Sequence, residues 1–328
     1  PLWLKIQKEE IQMRNLKRAL SLALAAIMLV GMMVVSASAA SYNNLTDKDE
    51  IVNKDAVSML VSLGIIEGKP DGSYGPTENV DRAQMAKMLS VIMNKGVDNS
   101  ALYQSVNSGL VDVNTNWAKG HINYCYTTGI IAGRGNGKFD PSATVTALEA
   151  AKMLLVAVGY DPAIEGFEGA DWAINVSVRA DEQGIFEGFT KDLSAPLNRD
   201  DAALLIYNAL DVEMIQSYTT NNYPIAYSDH RTILADKYGV IKVQGVVVAN
   251  EWASLASDDG DAALKEGKTT IYNGEGIFST TGNTTVSKED ASLKTQTFNV
   301  STPVDMLGKT VNLYIKKTTI LADSTVYG

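Results

Sequence analysis

Three stretches built to one pattern constrain this chain more than any other feature. "LGIIEG" (63–68), "TGIIAG" (128–133) and "QGIFEG" (183–188) are each followed by a polar, turn-rich loop: "KPDGSYGPTEN", "RGNGKFDPSAT" and the shorter "FTKDLSAP". Each loop leads into "VDRAQMAKML", "VTALEAAKML" or "LNRDDAALLI", with an alanine six residues after the leading apolar residue every time (Ala86, Ala151, Ala203). Asp81, Thr146 and Asn198 are good N-cap residues. Gln84, Glu149 and Asp201 follow three positions later, so two full capping boxes and one shortened version are predicted. Upstream of each glycine signature lies another apolar-periodic stretch, such as "IVNKDAVSMLVSL" and "WAKGHINYCYTT". Gly64, Gly129 and Gly184 then fall where a helix ends in a left-handed cap, with Ile65, Ile130 and Ile185 folding back onto it.

Each segment therefore reads as helix, glycine cap, loop, capped helix. Two amphipathic helices cannot bury their apolar faces alone, so the three segments must pack on one another. A tandem solenoid is one solution. Three unequal copies without a distinct capping repeat favour the other, a mainly α-helical pseudo-threefold bundle with grooves at its seams. Trp117 and Trp172 lie twelve residues before the second and third capping glycines, and Val52 holds that place in the first segment. The tryptophans can serve as core, or as an apolar face beside a polar ligand.

Residues 14–40, "RNLKRALSLALAAIMLVGMMVVSASAA", have the basic start, apolar run and small-residue end of a secretory signal peptide. The short apolar core weighs against a membrane anchor. Met13 is the natural initiator, with cleavage after Ala39 or Ala40, which makes residues 1–12 an untranslated leader and 13–40 the signal. Residues 41–328 then carry 23 basic against 36 acidic side chains, and this acidity argues against nucleic acid or an anionic membrane as a partner. An anionic ligand must be held by a few placed cations. Cys125 is the only cysteine, so no internal disulfide forms and the core must be hydrophobic.

These motifs resemble the S-layer homology domain, which occurs as three tandem copies in secreted proteins of bacteria with Gram-positive-type walls. The resemblance rests on "VDVNTNWA" (111–118) and "GADWA" (169–173) as starts, on the glycine turn found three times, and on "DRAQ", "TALE" and "NRDD" as helix starts. It covers roughly 42–212 and divides the chain into repeats at 41–98, 99–160 and 161–212. It implies a binding module for secondary cell-wall polysaccharide, often bearing pyruvate ketals, and self-association in a surface layer. Ligand contacts would come from Arg82 and Arg199, Trp117 and Trp172, and the turn backbone at Gly68, Gly133 and Gly188.

An arginine at the first helical position sits at the positive end of the helix dipole, which is unfavourable. Beside free helix N–H groups it would grip a carboxylate. A solvated arginine paired with a neighbouring acid is the alternative. The second segment has Ala147 in place of the arginine, with Arg134 as a candidate substitute, and the first lacks the tryptophan. Two competent grooves at most are expected.

From about 213 the chain turns β-branched and alternating, at "YGVIKVQGVVVAN", "KTTIYN" and "GKTVNLYIKKTTIL", so 213–328 reads as a β-rich domain that continues past Gly328. The expected class is α+β multidomain. No cofactor or metal site is apparent. His121 and His230 lack a partner at ligand spacing, and "DVNTN" (112–116) has Trp117 and Asn123 where a calcium loop needs glycine and glutamate. "SDDGDAALKE" (257–266) reads as an acidic surface loop. No carboxylate pair is singled out for sugar hydrolysis. The sequence therefore favours a non-enzymatic surface protein over an exported glycan hydrolase that uses these segments as its anchor.

Overall fold

Helices form where the periodicity and caps place them. The structure, a computed structural model, describes residues 42–255, 263–274, 279–281, 294–316 and 326–327. The stretches expected to be a leader (1–12) and a signal peptide (13–40) lie outside the described residues, as do parts of the acidic stretch 257–266 and of the last β-rich stretch. Six α-helices are seen among the described residues: α1 (Lys54–Ser62), α2 (Arg82–Met93), α3 (Lys119–Thr127), α4 (Ala147–Val158), α5 (Trp172–Glu182) and α6 (Arg199–Leu210). The N-terminal caps of α2 and α4 are full capping boxes. At α6 Asn198 accepts from Asp201 N–H without a return bond, because Asp201 pairs with Lys191.

The three glycine caps share one hydrogen-bond pattern. Ile65, Ile130 and Ile185 donate to the carbonyls of Leu60, Cys125 and Ala180, while Gly64, Gly129 and Gly184 donate to Val61, Tyr126 and Asp181. This is the paired closure of a Schellman motif. The glycines adopt φ of 70°, 79° and 70°, and the three isoleucines are buried.

Beyond the caps, the residues leading into α2, α4 and α6 meet at one point. Val145 N–H donates to Val80 O at 2.9 Å, Val80 N–H to Leu197 O at 2.8 Å and Leu197 N–H to Val145 O at 2.8 Å. The three bonds close a ring, and all three side chains are buried. Around it α1 packs against α6, α2 against α3, and α4 against both α5 and α6. One apolar core runs through these helices from Leu45 to Val212.

After α6 come two antiparallel sheets. Strands β1 (Ile215–Tyr218) and β2 (Pro224–Ala226) form a small ribbon. The larger sheet holds β3 (Val240–Asn250), β4 (Thr269–Tyr272), β5 (Ser279–Thr281), β6 (Thr295–Phe298) and β7 (Thr310–Lys316). There β3 pairs with β4, β5 and β7, and β4 with β6. Its own small core includes Val243, Val247, Ile271, Phe298 and Ile315. The sheet is also tied to the helices. Val240 and Tyr314 belong to the helical core, Tyr314 meets Tyr207 edge-on at 5.6 Å, and Lys242 pairs with Asp211.

Candidate functional site

Seven of the eight sequence-predicted site residues gather in two grooves, each assembled from three separate segments, and Gly188 lies in neither. The α4 groove, about 480 Å³, is lined by the second segment's turn (Gly133, Arg134) and helix (Glu149, Lys152), by Arg82 from the first and by Trp172 from the third. The α2 groove, about 210 Å³, is lined by the first segment's turn (Gly68, Lys69) and helix (Lys87), by Arg199 from the third and by Trp117 from the second. Gly133 is needed for closeness: a Cβ there would lie 2.9 Å from Lys138 O.

The arginines are tied down. Arg82 Nε donates to Phe139 O and Nη2 to Ala132 O, both at 2.8 Å, and its guanidinium lies 4.3 Å from the Phe139 ring centre. Only 5% of Arg82 is exposed. Burial first, and Arg134 next, bring its pKa down to about 10, so it stays charged at neutral pH. Arg199 repeats the arrangement with Nε donating to Tyr74 O at 2.8 Å, Nη2 to Glu67 O at 3.3 Å, and a Tyr74 ring 4.7 Å away.

The helix N–H groups beside them are not free, which corrects the expectation of an open helix end. Arg82 N–H donates to Ala143 O and Ala83 N–H to Pro141 O, both at 2.9 Å. Arg199 and Asp200 donate to Glu78 O and Pro76 O at 2.8 and 3.1 Å. Carbonyls of a neighbouring loop thus occupy the place assigned to a ligand carboxylate. What faces each groove is the remainder of the guanidinium together with two further cations. In the α4 groove these are Arg134, paired with Glu149 at 2.8 Å, and Lys152. In the α2 groove they are Lys69, paired with Glu78, and Lys87, paired with Glu67 at 3.3 Å.

Trp117 is 59% exposed, so core packing does not account for it. Trp172 is half-buried against the core and also lines its groove, with Lys152 Nζ 5.8 Å from its ring centre. Arg134 does not substitute for the arginine missing at Ala147; it lines the groove that already holds Arg82.

The third junction follows the same plan with different chemistry. The start of α4 meets the third segment's loop through Leu148 N–H and Leu193 O at 3.1 Å. The first segment meets α6 there through Val52 and Asn53 N–H groups, which donate to Asp200 at 3.2 and 3.1 Å. Ala147 and Val52, the two departures from the pattern, therefore fall at one junction. Phe189 stands where the other turns carry Lys69 and Arg134, and Leu204 where the other helices carry Lys87 and Lys152. Gly188 packs near Leu204, 3.7 Å from where a Cβ would sit. A cavity of about 400 Å³ opens nearby between α5 and residues 186–193, and neither Ala147 nor Val52 lines it.

Sequence reasoning passed over Lys69, Lys87 and Lys152. Their signal was present: Lys87 and Lys152 share the sixth position of their helices, and Lys69 and Arg134 both follow the second glycine of their turns. A Ser-His-Asp contact also escaped notice. Ser90 Oγ lies 2.9 Å from His121 Nδ1, and Nε2 is 3.6 Å from Asp98. Ser90 is 1% exposed within α2, out of a substrate's reach, so the cluster is part of the packing. Among the described residues no helix is long and apolar enough to cross a membrane.

The S-layer homology domain model matches residues 44–86 and 111–151, the first and second segments. A cell surface protein of Thermoanaerobacter kivui is 28% identical over 270 residues, covering 82% of this chain and 32% of that protein. An S-layer protein of Bacillus licheniformis is 33% identical over 113 residues, 34% of this chain and 12% of its own length. An amylopullulanase of Thermoanaerobacterium thermosulfurigenes is 31% identical over 172 residues, 48% of this chain and 9% of the enzyme. The chain spans about a third of the first relative and smaller shares of the others. With the S-layer homology domain matched in two segments, and surface-layer proteins among its relatives, the chain is a secreted, cell-wall-associated extracellular protein.

Proposed function

We propose that the three segments are S-layer homology repeats packed as a pseudo-threefold bundle behind a signal peptide. The bundle holds the chain noncovalently on the cell wall by seating an anionic secondary cell-wall polysaccharide in its two cationic grooves. The observation that carries this reading is the repeated composition of the grooves: a tied arginine, a close glycine turn, two further cations and a tryptophan face, each time drawn from all three segments. Sugars stack on an indole face while carboxylates seek fixed cations, so such a groove suits a charged glycan. In an acidic chain these are local exceptions to the net charge. The β-rich region from 213 onward is the cargo side, and self-association into a surface layer belongs to the same reading.

The test is co-sedimentation of the mature chain with isolated bacterial walls, with walls stripped of their secondary polymer, and with the Trp117→Ala/Trp172→Ala double variant. Binding lost in both controls supports the proposal. Binding equal in all samples removes it. A second reading, an exported glycan hydrolase carrying the same segments as its anchor, is favoured by the amylopullulanase match. A catalytic module encoded after residue 328 would select it.

A further inference from the structure

The two cationic grooves differ in how their charge is spent. Four lysines line the grooves and the third cavity, and three have carboxylate partners: Lys69 with Glu78, Lys87 with Glu67, and Lys191 with Asp201. Lys152 has no ion-pair partner among the described residues. Its ammonium is half-buried over Trp172, and burial lowers its pKa against the pull of Glu168. An unpaired cation partly withdrawn from water is a continuing desolvation cost, which an incoming anion would offset.

The arginines of this groove are already committed to the protein. Arg82 has already given two of its donors to backbone carbonyls, and Arg134 is held by Glu149. In the α2 groove both lysines are neutralised within the protein, and Arg199 is tied as Arg82 is. We infer that Lys152 is the residue that contacts the ligand's anionic group, so that the α4 groove selects charged over neutral glycan. The α2 groove holds sugar through Trp117 with its charges already compensated. This rests on the reading of the grooves as polysaccharide seats and adds which groove reads the charge, and through which atom.

The experiment measures binding of the mature chain to polysaccharide released from the walls it sediments with, and to the same polysaccharide with its carboxyl groups reduced to alcohols. Lys152→Gln should weaken binding of the native polymer by about tenfold, one charge-assisted contact, to the level of the reduced polymer. Lys152→Arg should restore most of it, and Lys87→Gln should cost clearly less than Lys152→Gln, because its charge is already paired in the protein. Thermal melts of each variant separate lost contact from lost fold. Lys152→Gln binding like the wild type, Lys87→Gln losing as much as Lys152→Gln, or equal wild-type binding of native and reduced polymer would each overturn the inference while wall binding stands. Failure of the wild type to bind walls at all would instead remove the underlying reading.

Discussion

An arginine at the first position of α2 opposes the helix dipole, and two backbone carbonyls and an aromatic face offset that cost. Its first job is structural. Arg82→Ala is expected to destabilise the chain by about 3 kcal/mol, because two carbonyls lose a charged donor. Arg82→Lys should recover little, since one ammonium cannot reproduce the planar fork. Denaturant midpoints of the two variants check both statements. They also explain why an arginine-to-alanine variant is a poor probe of binding here. His121 offers a different single-residue test. Burial lowers its pKa, Lys87 adds to the lowering, and Asp98 opposes it. Below the ordinary value of 6.5 the unfolded chain binds a proton that the folded chain resists, so stability is complete above that pH and falls as pH drops through it. Melting temperatures from pH 7.5 to 5, chosen to span about one unit either side of that value, should show the decline. His121→Gln should flatten it, and an unchanged slope would mean the decline arises elsewhere.

At the scale of elements, local rules suffice. Removing the α4 cap by Thr146→Ala should cost about 1 kcal/mol, read from chemical denaturation. Two glycines separate conformational strain from crowding. Gly129 has φ of 79° and nothing near a would-be Cβ, so Gly129→Ala should cost about 1 kcal/mol through backbone strain alone. Gly120 lies inside α3, where a Cβ would fall 2.1 Å from Ser100 O, so Gly120→Ala should be clearly worse. Equal losses would show that residues around Ser100 yield. The same contrast marks what the sequence could reveal. Caps, Schellman closures and the strands at 240–250 and 269–272 were legible because their determinants lie within a few residues. The arginine's carbonyl partners were not, since Phe139 and Ala132 lie some fifty residues from Arg82 in chain order. Nor could spacing reveal that Ala147 and Val52 share a junction.

At the scale of the molecule, the ring formed by Val80, Val145 and Leu197 ties the starts of α2, α4 and α6 together, so the helical region is expected to unfold as one cooperative body. Val145→Pro removes the N–H that Val80 O accepts and leaves a buried carbonyl unmet, with a proline where a bridge forms beside it at Thr146. Hydrogen exchange should then rise in α2, α4 and α6 together; a rise confined to α4 would mean the segments unfold independently. Repairing the third junction by Ala147→Arg should create no binding site. Ala147 is fully buried, and the shorter third loop carries no counterpart of Tyr74 or Phe139 to receive the guanidinium. The variant should melt lower than the wild type and sediment with walls no better.

The crosswise sharing of groove parts also governs how such a chain can change over generations. The third segment has Phe189 and Leu204 where the others carry cations, yet it lends Arg199 to one groove and Trp172 to the other. If the grooves seat the wall polymer as proposed, one copy's chemistry can change without loss of adhesion, but excising that copy would dismantle both grooves in a single event. Substitution at the third segment's own junction is therefore expected to be tolerated where removal of the whole segment is not.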